Sequence, residues 1–210
     1  MSKNIILIGA GGLGKEVFHW FSRDERFTEN IKGFLDKSDP DFSKCKIKAN
    51  FLGNEDTYEF NDDDYVVITI ADVKIRSKIY SKLKNKVQFI NLVHSKAIIS
   101  ENVMMGTGNI ICPNCIISNN VSMGNNNFIN INASICHESI IRNNVILSPY
   151  SLVNGQCIID DDVFIGSHAT VFQNSRIGKE SSIEANTLVK GDIKKNLYVC
   201  GVPGRILPKK

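Results

Sequence analysis

The stretch Ile129–Ile141, ININASICHESII, decides the fold of this chain. Aliphatic residues stand at 129, 135 and 141, with the compact Ala133 and Ser139 between them, so the apolar signal returns every six residues. A helix repeats at 3.6 and a half-buried strand at two, and neither period fits. Outward in steps of six, the ladder runs back through Met123, Ile117, Ile111, Met105 and Ile99 to Val93. Forward it runs through Leu147, Val153, Ile159, Ile165, Val171, Ile177 and Ile183 to Val189. Four residues after most rungs sits a compact side chain such as Ala97, Cys115, Val145 or Ala169, with Asn109 and Asn127 as polar exceptions. This is the hexapeptide repeat of a parallel β-helix. Three short strands make a coil of eighteen residues, and coils stack at about 4.8 Å, so residues eighteen apart lie above one another. The ends of such a stack need covers. The segment before residue 93 is available for one end, and LYVCGVPGRILPKK, turning at Pro203 and Gly204, for the other.

The same stretch sets His137 beside Glu138. Neighbours on an ideal strand point to opposite faces, so a working pair needs a corner, which a hexad supplies. Gly155 lies eighteen residues beyond His137 and therefore stacks one coil above it, where its backbone N–H is placed to stabilise an oxyanion. His19, His94 and His168 read as surface or locally hydrogen-bonded groups. His137 and His168 are not a multiple of eighteen apart, so they do not stack as metal ligands.

The first ninety residues read differently. NIILIG is a short buried strand, GAGGLG a tight loop, and KEVFHWFSRD a helix with Val17, Phe18 and Phe21 on one face. IKGFLD and YVVITI are further strands, DVKIRSKIYSKL a second helix, and VQFINL a last strand. Alternating strands and helices predict a small parallel sheet of half-Rossmann type. The boundary falls between Asn91 and Ser95, giving an α/β domain over 1–92 and a β-helix over 93–210 with its tail. Gly9, Gly11 and Gly14 complete G-x-G-x-x-G before a helix N-terminus, a setting that favours phosphate, with Asp36 at the end of the next strand for a ribose. Three readings of the loop stay open: a phosphate-bearing nucleotide, NAD, or a glycine turn needed only for strand–helix packing.

Bulk properties narrow the class. At 210 residues, 42% hydrophobic, 22% charged and net +3, the chain has ordinary globular composition and no case for nucleic acid. SKCKIKAN and LPKK read as solvated surface. The sequence has no apolar stretch of membrane-spanning length and no signal-peptide pattern, so a cytoplasmic protein is expected. Six cysteines, at 45, 112, 115, 136, 157 and 200, form no evident disulfide framework. Cys112 and Cys115 in C-P-N-C lack the four converging ligands of a structural zinc site, so no metal is expected.

With both halves in view, the chain resembles the left-handed β-helix acyltransferases. More closely, it is similar to bacterial nucleotide-sugar acetyltransferases of the bacillosamine N-acetyltransferase and sialic acid O-acetyltransferase kind. The resemblance rests on IGAGGLGKEV, FLDK, IRSKIY, FINLVHSKAIIS, NINASICHESII and GVPGRI. It implies a homotrimer with acetyl-CoA along the prism between subunits. It also implies His137 as general base, Glu138 as the residue that orients it, Asn130 near the acceptor and Gly155 at the oxyanion. By the same resemblance Ile146, Gly155, Ser167 and Ala185 line the acetyl-CoA groove. The nucleotide sugar meets Gly11, Gly12 and Leu13, with Asp36 and Lys37 beside base and ribose. The implied reaction is N-acetylation of a nucleotide-linked amino sugar, with O-acetylation of a sugar hydroxyl, or a sugar-binding β-helix without catalysis, as alternatives. Three positions depart from the family pattern: Ile146 where relatives often carry histidine, Tyr150 where glycine is usual, and Arg142 in place of a hexad glycine. The γ-type carbonic anhydrases share the prism but need a further closely spaced histidine pair, which this chain lacks.

Overall fold

The computed structural model describes residues 4–27, 30–42 and 48–208. Cys45, the adjoining residues 43–47 and the last two lysines of the tail lie outside them.

Strand β1 (Asn4–Ile8) is buried on both faces and occupies the centre of a five-stranded parallel sheet. Beside it lie β2 (Ile31–Leu35) and then β3 (Asn50–Gly53); on its other side lie β4 (Asp64–Ile68) and β5 (Gln88–Phe89). Helix α1 (Gly12–Phe21) directs Val17 and Phe21 into the core, and α2 (Val73–Leu83) starts where the Asp72 carboxylate accepts the Ile75 N–H at 2.8 Å. Strand β3 was not legible in the sequence, because NFLG has too few residues to show a period. The expected strand VQFINL is two strands. Gln88–Phe89 closes the sheet, while β6 (Leu92–Val93) pairs with Ile110–Ile111 and opens the prism.

From Leu92 the chain winds through two-residue strands into three parallel walls. The first wall holds Leu92–Val93, Ile110–Ile111, Phe128–Ile129, Ile146–Leu147, Phe164–Ile165 and Ser182–Ile183. The second carries Ser134–Ile135 and Leu152–Val153, the third Ile140–Ile141 and Ile158–Ile159, each pair in register eighteen residues apart. Rungs from Ile111 to Val189 are buried, so the columns form one continuous apolar core. A residue with positive φ turns the corner at every sixth position from Asn114 to Asn186. Asn and Asp fill most of these positions, since their short polar side chains tolerate that conformation. Inside the corner between third and first walls the exceptions Asn109 and Asn127 are explained. Asn91 Oδ1 accepts the Asn109 N–H, Asn109 Oδ1 the Asn127 N–H and Asn127 Oδ1 the Val145 N–H, at 2.8–2.9 Å. Buried amides here satisfy backbone groups that an aliphatic residue would leave unpaired.

The N-terminal domain does more than cover an end. Val93, Ile99 and Met105 of the first coil stay only half-buried, so that end is incompletely sealed. The domain docks along the corner between third and first walls. Arg76 on α2, fully buried and with no carboxylate partner among the described residues, donates to the carbonyls of Ile68, Ile70 and Asn126 and to Asn126 Oδ1, and its guanidinium stands over the Phe128 ring. Asn144 Nδ2 donates to the Val73 carbonyl at 2.9 Å. A second junction joins Asp24, which accepts the Ser95 N–H, to Arg26, which donates to the Val93 carbonyl. At the far end, Tyr198–Cys200 and Arg205–Leu207 form a hairpin that extends the first wall from Ser182–Ile183.

Candidate active site

His137 and Glu138 are the two turn residues of a corner between second and third walls, and Glu138 holds φ 59°. This bend lets neighbours share a side: His137 Nδ1 and Glu138 Oε2 are 3.6 Å apart, with both side chains about half exposed or more. On the coil above, Gly155 lies against the imidazole. A Cβ at 155 would stand 2.6 Å from both Cε1 and Nε2 of His137, inside any real contact. The glycine therefore exists for close approach, and the ring edge carrying Nε2 faces its backbone. Among the described residues no acceptor takes the Gly155 N–H, so it is available to a ligand. The coils are pinned there by Gln156 N–H to the His137 carbonyl, 2.9 Å. Such a corner joins a base, a carboxylate behind it and an amide donor in front. Cys136, adjacent in sequence, is half-buried, and burial pushes its thiol pKa up, which argues against a thiolate nucleophile.

The glycine loop builds a second centre. A Cβ at Gly14 would meet the Gly9 carbonyl oxygen at 2.0 Å, so packing dictates that glycine. A methyl group at Gly11 or Gly12 would have nothing within 4 Å, and both glycines open onto a cleft of about 380 Å³. Leu13, Asp36 and Lys37 line the same cleft, so the five residues expected at the nucleotide are brought together. Asp36 Oδ2 accepts the Ala10 N–H at 2.7 Å and Oδ1 the Lys37 N–H at 2.6 Å, which ties the end of β2 to the loop. Thr69 Oγ1 donates to the carbonyls of Ile8 and Gly9 and holds the loop from the other side.

The remaining residues scatter. Asn130 begins the corner between first and second walls, the opposite edge of the wall from His137, and its Oδ1 accepts the Ile131 N–H at 2.7 Å. Ser167 and Ala185 stack at that same corner and are solvent-accessible. Ile146, also expected along the coenzyme groove, lies on another face. Its side chain is only 3% exposed on the outer face of the first wall, between Phe128, which lies under Arg76, and Phe164. Phe164 and Ser182, further along that column, line an open groove of about 750 Å³ against Val73, Lys74 and Lys78.

Comparison with known proteins follows this division. A model of the PglD N-terminal domain matches residues 4–83, and one of the bacterial transferase hexapeptide (six repeats) matches residues 138–173. The chain thus matches a PglD N-terminal domain in its first part and bacterial transferase hexapeptide repeats in its second. WeeI from Acinetobacter baumannii AYE is 26% identical, covering 98% of this chain and 100% of its own, with a TM-score of 0.85. A mutant of perosamine N-acetyltransferase from Caulobacter crescentus, in complex with CoA and GDP-perosamine, is 20% identical over 100% of this chain and 99% of its own, TM-score 0.85. The acetyltransferase domain of PglB from Neisseria gonorrhoeae FA1090, in complex with acetyl coenzyme A, is 18% identical over 99% and 100%, TM-score 0.85. No curated protein sequence matches.

Several site-forming groups carry no signal when residues are read singly. Gln156 donates from Nε2 to Glu138 Oε2 at 2.7 Å, and only the step of eighteen links them. Tyr150 and His168, also eighteen apart, stack as parallel rings with centroids 4.9 Å apart, so the unusual tyrosine has a partner. Cys112 and Cys115 sit in the core, where burial pushes the Cys115 thiol up to about 12. Among the described residues no group of three or more His, Cys, Asp or Glu could hold a metal ion, and no helix is long and apolar enough to cross a membrane.

Proposed function

We propose that this acyltransferase moves the acetyl group of acetyl-CoA to the amino group of a nucleotide-linked sugar. The observation that carries the reading is the corner where His137, Glu138 and the Gly155 amide meet. His137 Nε2 takes a proton from the acceptor nitrogen as that nitrogen attacks the thioester carbonyl. The tetrahedral oxyanion accepts the Gly155 N–H. Collapse breaks the carbon–sulfur bond, and the imidazolium returns its proton to the departing thiolate. Attack is direct, since the neighbouring thiol of Cys136 is kept protonated by burial. The nucleotide occupies the cleft at Gly11, Gly12 and Leu13, with Asp36 and Lys37 beside it. The relatives bound to CoA, acetyl-CoA and GDP-perosamine support both ligand classes.

Within one chain the cleft and His137 belong to different sides of the prism: the domain docks at the corner between third and first walls, and His137 sits at the corner between second and third. A trimer resolves this if the base of one protomer faces the cleft of the next, with Asn130, Ser167 and Ala185 along the coenzyme path. Ile98, Met104 and Ile116, 46–69% exposed on the second and third walls, supply the apolar surface for such packing.

Thiol release from acetyl-CoA, measured over UDP-, dTDP-, GDP- and CMP-linked amino sugars, tests the proposal. One panel member is expected to turn over with an N-acetyl product by mass spectrometry; an ester product would shift the reading to a hydroxyl acceptor. His137→Ala is expected to lose on the order of a hundredfold in kcat with acetyl-CoA binding intact. Wild-type turnover in that variant would remove the base.

A further inference from the structure

We propose that Gln156 is a positioning residue that holds Glu138 against His137 and thereby selects the imidazole tautomer able to act as base. The inference rests on the reading of His137 as base and extends it by one coil. Gln156 Nε2 and His137 Nδ1 converge on a single atom, Glu138 Oε2, at 2.7 and 3.6 Å. In a neutral imidazole one nitrogen donates and the other accepts. A carboxylate held at Nδ1 keeps the proton there and leaves the Nε2 lone pair on the edge facing Gly155, where the acceptor amine must lose its proton.

The corner column supports a purpose for this pair. Its positive-φ positions run Asn120, Glu138, Gln156, Asn174. Asn is the residue such a backbone favours, and it stands on either side. Only the His137 coil and the coil above it replace Asn with longer polar side chains, and those two are bonded to each other. Without the amide, an exposed glutamate at this corner is free to sample other rotamers, and the imidazole loses its orienting partner. Gln156 touches neither substrate nor coenzyme in this scheme; it acts through Glu138.

Nitrogen-15 NMR of the histidine side chains at alkaline pH, with His137 assigned by difference from His137→Ala, reads the tautomer directly and needs no turnover. The wild type is expected to show mostly Nδ1–H at His137. Gln156→Met, which keeps the bulk and loses the donor, and Gln156→Gly, which accepts the positive φ without strain, are both expected to move toward Nε2–H. Both are also expected to lower kcat about fivefold, the loss of one hydrogen bond, with the acetyl-CoA KM unchanged. Unaltered nitrogen shifts in the glycine variant, or shifted tautomers with wild-type kcat, would overturn the role of Gln156. Absence of turnover in the wild type over the whole panel would instead overturn the acetyl-transfer reading, with the tautomer measurement still deciding whether Gln156 orders the pair.

Discussion

The imidazole of His137 occupies the space that a Cβ at Gly155, one coil above it, would need. Gly155→Ala puts a methyl group 2.6 Å from two ring atoms, and the cheapest response is for the imidazole, 60% exposed, to swing into solvent. The fold then survives while the base leaves its place. We expect kcat to fall about a hundredfold, as for an ångström-scale misplacement, with the thermal midpoint little changed. Calorimetry and steady-state kinetics on the same preparation check this; full activity in the variant would refute the contact.

The glycine loop divides by purpose. Gly14→Ala drives a methyl group into the Gly9 carbonyl and should lower stability by about 1–3 kcal/mol. Gly12→Ala meets nothing and begins a helix, so the melting temperature should hold or rise. Its methyl group projects at the cleft, and the KM for the nucleotide sugar is expected to rise. Equal effects of the two substitutions on stability would contradict this division.

Arg76 is a buried cation whose terminal nitrogens donate to carbonyl groups while its Nε has no partner among the described residues; burial lowers its pKa to about 9, so it stays charged at neutral pH. Arg76→Met removes the cost of burying the charge but strands acceptors at Ile68, Ile70 and Asn126. Stranded acceptors outweigh the relief, because each costs about 1–3 kcal/mol. We expect a net loss of about 2 kcal/mol in urea unfolding; an unchanged midpoint would show that the junction is held by other contacts.

Asp24 makes the other junction sensitive to acid. Its hydrogen bonds from the Arg26 guanidinium, aided by the Ser95 and Arg26 N–H groups, hold its carboxyl far below the usual carboxylate range despite the opposing effect of burial. A carboxyl depressed in the folded state contributes stability that is complete above its unfolded pKa, near 4, and is lost as pH falls through that value toward the folded one. Asp24→Asn should therefore be less stable at neutral pH and lose less on acidification than the wild type. Unfolding curves at neutral pH and near pH 3 compare the two, and parallel losses would exclude Asp24 as a contributor.

The prism and its corners were legible in the sequence because a β-helix is built by translation: a residue's rung, wall and vertical neighbour follow from counting sixes and eighteens. That count alone brought Gly155 over His137, and the spacing of Gly9, Gly11 and Gly14 announced a loop at a helix start. Only the tertiary structure decided which corner the N-terminal domain grips, that VQFINL divides between two sheets, that Ile146 is covered, and that Arg76 is buried among carbonyl groups. These features join segments with no common period, such as Arg76 with Asn126 or Asp24 with Ser95, and their energies depend on desolvation and hydrogen-bond geometry that arise only when the two surfaces meet.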